Sequence, residues 1–162
     1  MQILVELDGV LRGPNDAVIP TGVSMYSTLT AYNRMIILSS SSKEETERWL
    51  NINKIADFDI IIDKSFHLEG ENLTQRQLNV ARSRGSVDLF ITADPNAWVY
   101  SFSLGIPSCM FGVPAYQRVE ARPDAPKKIR AWDQIVEAVQ KQNELRTKVV
   151  RQASQGEGLK FE

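Results

Sequence analysis

The chain has 162 residues, 43% of them hydrophobic and 24% charged, with a formal net charge of -1. That length suits one domain with its own core, and the small net charge argues against general binding of nucleic acid. A single cysteine, Cys109, excludes an internal disulfide. No stretch approaches the roughly 20 apolar residues of a membrane span.

The N-terminus, Met1-Gln2-Ile3-Leu4, lacks the basic start and small-residue cleavage site of a signal peptide. These features predict a protein of the cytoplasm. From Ile3 to Leu7 runs a short apolar strand closed by Asp8-Gly9. Residues 12–22 are dense in turn formers and predict a loop, with a weak helix over 22–33. Met35 to Leu38 is a second buried strand, ended by Ser39, Ser40, Ser41 and Ser42. Ser41 or Ser42 suits the N-cap of a helix that starts with acidic residues and runs to about Asn53. Phe58 to Lys64 predicts a third strand. A helix over 72–84 follows, with Gly85 as its stop. Val87 to Thr92 is the fourth strand, and Asp94-Pro95 opens a helix with proline in the first position. Gly105-Ile106-Pro107 ends it, and Ser108 to Phe111 is the fifth strand. Beyond lies a polar connector, 114–131, then a helix over 132–150 with Trp132, Ile135, Val136 and Val139 at helical spacing.

Alternating strands and helices predict a doubly wound, Rossmann-like α/β fold: about five parallel strands covered on both faces, with a C-terminal helix. The expected organisation is one domain over 1–150 and a loose tail over 151–162. Apolar neighbours around Cys109 predict a buried structural thiol. The one histidine, His67, reads as a surface loop residue, and Trp49, Trp98 and Trp132 as packing residues.

In such sheets ligands bind beyond the carboxyl ends of the strands, near the point where strand order reverses. The polar residues at those ends are Glu6 and Asp8, Ser39, Lys64, and Asp94. Carboxylates there suit a hard cation, and a hydroxyl and an ammonium suit phosphate oxygens. Each residue also has a simpler reading: Ser39 and Asp94 as helix caps, Lys64 as a solvated lysine, and Asp8 as a turn residue.

Val5-Glu6-Leu7-Asp8-Gly9 resembles the first motif of the haloacid dehalogenase superfamily, an apolar strand followed by Asp-x-Asp-Gly. Ile37-Leu38-Ser39 is similar to its second motif, Lys64 to its third, and Phe90-Ile91-Thr92-Ala93-Asp94 to its fourth. The order and spacing match over residues 3–113. The resemblance implies a magnesium-dependent phosphohydrolase, or a degenerate relative of one, acting on a phosphorylated small molecule or nucleotide. It implies Glu6 as nucleophile, Asp8 as acid/base, Ser39 and Lys64 as phosphate binders, and Glu6, Asp8 and Asp94 as ligands of Mg2+. Two departures stand out. Glu6 replaces the attacking aspartate, and Trp98 falls where another metal-binding acid is common. The extra methylene moves the carboxylate by about 1.5 Å, and a displacement near 1 Å costs in-line attack about 100-fold.

The 26 residues between Asp8 and Met35 have room for a short flap but not a helical cap, and Lys64 to Val87 has room for one crossover helix. The chain thus resembles a small capless member, of the kind encoded by bacteriophages, for which the compartment is the host cytoplasm. A non-catalytic binding or assembly protein on the same scaffold is the alternative. Residues 118–151 carry nine Lys/Arg against five Asp/Glu. The span 118–150 is therefore the expected surface for a protein partner or a second copy, and the basic strip 118–130 reads otherwise as a solvated connector.

Overall fold

The computed structural model describes residues 1–66 and 68–113. Five strands form one parallel sheet: β1 (Gln2–Glu6), β2 (Arg34–Leu38), β3 (Ile60–Ile62), β4 (Leu89–Thr92) and β5 (Ser108–Met110). Four helices connect them: α1 (Pro20–Thr30), α2 (Lys43–Ile52), α3 (Leu73–Arg84) and α4 (Pro95–Ser103). Strand order is β3-β2-β1-β4-β5, so the chain winds outward through β2 and β3, then returns to place β4 on the other side of β1. The reversal falls between β1 and β4. The expected doubly wound fold is the one found.

Alternation along the strands divides the core in two. Ile3, Val5, Ile37 and Ile91 pack with Tyr26 of α1 and with Trp49 and Leu50 of α2. On the opposite face, Leu4, Ile36, Ile62 and Phe90 pack with Leu78, Val80 and Ala81 of α3 and Ala97 of α4. Burying each such side chain contributes about 1.5–3 kcal/mol, and apolar matter on both faces explains why the strands read as unbroken hydrophobic runs.

Two boundaries and one residue's burial differ from expectation, each for a physical reason. Helix α1 opens at Pro20, inside the stretch expected to be loop. Proline needs no amide partner in a first turn and already holds a helical φ. Gly22 of that turn lies against the Val10 carbonyl so closely that an added Cβ would sit 1.7 Å from the oxygen. Strand β3 is three residues long rather than seven, because it lies at the sheet edge and pairs with β2 alone over Ile60 to Ile62. Cys109 is exposed and not buried: it lies in edge strand β5, in register with Ile91. Expectations for His67, the connector 114–131 with its basic strip, the helix 132–150 with Trp132, and the tail 151–162 lie outside the described residues.

Between β1 and α1 the chain makes one tight turn, with Leu11 and Arg12 amides donating to the Leu7 carbonyl, then a short flap. At the flap tip, a 3-10 turn at Pro14–Asp16 holds Asn15 and Asp16 at φ 57° and 56°. Asn and Asp tolerate that left-handed region better than other side chains do. The flap is pinned to α2, since the Trp49 indole donates to the Asp16 carbonyl at 2.9 Å. Between β3 and β4 the one helix is α3. Among the described residues no helix is long and apolar enough to cross a membrane.

Candidate functional site at the strand reversal

The carboxyl ends of β1 and β4 bring Glu6, Asp8, Thr92 and Asp94 to one edge of the sheet. Gly9 makes this approach possible. Its φ is +86°, and an added Cβ would lie 2.6 Å from the Ala93 Cβ. A glycine here both adopts the turn and lets the β1 and β4 loops touch.

The site has two halves. In the first, the Thr92 hydroxyl donates to Glu6 Oε2 and accepts from the Asp94 amide at 2.9 Å. Asp94 caps α4, its Oδ1 accepting from the Asn96 amide at 2.9 Å. The Glu6 carboxyl is pushed up to about 7. Burial is the main cause. The nearby Asp94 and Asp8 charges add to it, while bonds from the Thr92 hydroxyl and the Ala93 backbone oppose it. A carboxyl so placed is half protonated near neutral pH, and a protonated carboxyl is not a nucleophile.

In the second half, Asp8 is held by Arg12. Its Oδ1 lies 2.7 Å from Arg12 Nε and 2.7 Å from Arg12 Nη2, while Oδ2 accepts from the Ser40 hydroxyl at 2.5 Å. Arg12 is 9% exposed. Its Nη2 also donates to the Ser41 hydroxyl at 3.0 Å, and its guanidinium lies 5.9 Å from the Trp49 ring centre. A planar fork with five donors suits such multiple contacts.

Among the described residues, Ser39 and Lys64 share no hydrogen bond or ion pair with these carboxylates. Ser39 is buried, its hydroxyl sharing a 2.7 Å bond with Thr46 and accepting from the Ser41 amide at 3.1 Å. Ser42, not Ser39, caps α2, in a reciprocal box with Glu45. Lys64 is an exposed residue whose amide donates to the Ser41 carbonyl at 3.4 Å. Beneath both, the buried Gln77 amide donates to the Ser39 and Ile62 carbonyls at 2.7 and 2.9 Å, tying α3 to the ends of β2 and β3. Trp98 packs flat on Phe102, with ring centres 4.9 Å apart, and donates to the Ser108 carbonyl.

Arg12, Ser40, Ser41 and Thr92 belong to the site, though strand-end positions alone do not single them out. A serine run after β2 and a threonine inside the fourth motif were visible signals. Arg12 had none, because its reach to Asp8 depends on how the flap folds back.

The donor set fits a hard divalent cation in kind, since all its ligands are carboxylate oxygens and the Glu6 charge is resisted by its surroundings. In arrangement it is looser. Among the described residues no group of three Asp, Glu, His or Cys side chains gathers around one point, and Asp8 faces Arg12.

The fold and this site define a three-layer α/β domain with a polar cluster at its strand reversal. No family model matches the chain, and no curated protein matches it. A solved structure similar in fold is a chain of the "Structure of the Pnkp1/Rnl/Hen1 RNA repair complex", with a TM-score of 0.54 and 18% sequence identity. The likeness covers 67% of this chain and 41% of that one, so the shared part is less than half of the other chain.

Proposed function

We propose that this chain is a phosphoryl-handling domain of haloacid dehalogenase type, binding a phosphorylated small molecule or nucleotide with magnesium and turning it over slowly. The observation that supports this is the convergence of Glu6, Asp8, Thr92 and Asp94 at the strand reversal. Glu6 and Asp94 would hold the ion, with Asp8 joining them only on turning away from Arg12, and the ion would supply charge neutralisation to the phosphoryl oxygens and to Glu6. Glu6 is the attacking group, and Ser40 and Ser41 with Lys64 are the donors at the phosphate side. Attack is weakened by the length of Glu6 and, without the ion, also by the proton its carboxyl retains near neutral pH. The solved structure similar in fold belongs to an RNA repair complex, which is in keeping with a protein partner. The partner surface, 118–150, lies outside the described residues.

The test is magnesium-dependent phosphate release from a broad panel of phosphate esters, for the wild type and Glu6→Asp. Shortening the side chain brings the carboxylate back to the aspartate position, and turnover should rise by about 10-fold or more, given the steep dependence on alignment. If neither protein shows turnover and neither binds magnesium, the reading fails.

The Asp8–Arg12 pair favours a second reading, in which the scaffold binds its ligand without chemistry. An acid/base residue held by an arginine and a serine is poorly placed to exchange protons with a leaving group. On that reading Glu6→Asp still binds magnesium and phosphate, and still releases nothing.

A further inference from the structure

Between the flap and α2 lies a cleft of about 470 Å3 that adjoins the carboxylate cluster and shares Arg12 and Ser41 with it. We propose that this cleft receives the nucleoside part of the ligand, so that the site selects nucleotides over simpler phosphate esters. This rests on the strand-reversal end being the phosphate site.

Size is the first argument, since clefts of 300–1,000 Å3 hold ligands of nucleotide scale. The second is the character of the lining. Ile52, on the last turn of α2, is 72% exposed, and the edge of the largely buried Trp49 lies beside it in the same cleft. They supply an apolar patch for the face of a ring. Around them stand Arg12 and Arg48 as donors and Glu45 and Asp16 as acceptors. Two positive and two negative groups cancel, which disfavours a purely anionic occupant. A nucleobase has the matching form: apolar faces with donors and acceptors along its edge, which Arg and acidic side chains pair with readily.

Arg12 links the two regions. Its Nε and Nη2 hold Asp8, while Nη1 has the Asp16 carboxylate at 3.6 Å, beyond hydrogen-bond distance, and so retains donor capacity toward the cleft. One guanidinium separates the Asp8 carboxylate, at 2.7 Å, from the Trp49 ring centre, at 5.9 Å. The cleft is also preformed, because the Trp49 indole bonded to the Asp16 carbonyl holds its two walls together. Little ordering remains to oppose binding.

The experiment is calorimetric titration of the full chain, in magnesium, with inorganic phosphate, ribose 5-phosphate and the four ribonucleoside 5′-monophosphates. At least one nucleotide should bind about 10-fold more tightly than ribose 5-phosphate, the scale of a base contact. Arg48→Ala and Ile52→Ser, both at exposed positions, should each weaken that nucleotide severalfold and leave phosphate binding unchanged. The inference is overturned if ribose 5-phosphate binds as tightly as every nucleotide, or if neither substitution alters nucleotide binding. Failure of the phosphate site looks different: inorganic phosphate does not bind, while a nucleotide binds and remains sensitive to Arg48→Ala and Ile52→Ser. That result would keep the cleft and remove the phosphate reading.

Discussion

Between pH 4.5 and about 7 the folded chain holds a proton on Glu6 that the unfolded chain releases. Stability therefore falls as pH rises through that window. Below it both states are protonated and Glu6 has no effect; above it the folded state carries the whole cost of a buried charge. At roughly 1.4 kcal/mol per pH unit the full cost is about 3 kcal/mol. Glu6→Gln should be more stable than the wild type by up to that amount at pH 8, and equal to it at pH 4. Urea unfolding in a chelating buffer at both values measures this, and a pH-independent difference would mean the charge is tolerated. Gly9 is the other residue on which the site depends. Gly9→Ala combines a positive φ with a Cβ 2.6 Å from that of Ala93, and should cost about 2–4 kcal/mol. Adding Ala93→Gly should recover the contact part of that loss and leave the backbone part, as equilibrium denaturation of the single and double variants would show.

At the scale of elements, the flap and α1 act together. The tight turn at 7–12 presents the Val10 carbonyl to the first turn of α1, where Gly22 meets it. An added methyl cannot fit 1.7 Å from an oxygen, so Gly22→Ala must push α1 off the β1 loop. We expect a loss of about 3 kcal/mol or more, in the range of a strained core, with disturbance of Arg12 as a consequence. Nuclear magnetic resonance shifts confined to the flap and α1 would confirm the location; shifts spread over α3 and α4 would contradict it. The same region shows where sequence reading stops. Pro20-Thr21-Gly22 is composed like a turn, and only its contact with Val10 explains the glycine inside a helix. By contrast the α2 cap was legible, because Ser42 and Glu45 interact within four residues of each other.

At the scale of the molecule, the two halves of the sheet meet where the strand order reverses. Glu6 and Asp8 come from one side of that line and Thr92 and Asp94 from the other, so a ligand bound there ties both halves. Magnesium and inorganic phosphate together should raise the midpoint of thermal unfolding more than either alone. At about 100 times the dissociation constant, binding adds roughly 2.7 kcal/mol. Glu6→Gln should abolish the magnesium share, and differential scanning fluorimetry of both proteins tests it. An equal response in the variant would take Glu6 out of the ion's coordination.

What the sequence determined by itself was local: five apolar runs long enough to be buried strands, a serine cap for α2 at Ser41 or Ser42, the Asp94 cap, and the order of polar residues at the strand ends. These are set by interactions within a few residues, or by burial that composition alone signals. Only the tertiary structure decided that Asp8 pairs with Arg12, that Ser39 turns inward to Thr46, that Gln77 ties α3 to two strands, and that Cys109 faces outward. Each depends on how elements meet or, for Asp8 and Arg12, on how a non-helical turn folds back, which no helix or strand pattern encodes. Glu6 illustrates both sides. Its position was readable from the motif, but the proton it retains comes from burial and from two acids that the fold brings beside it.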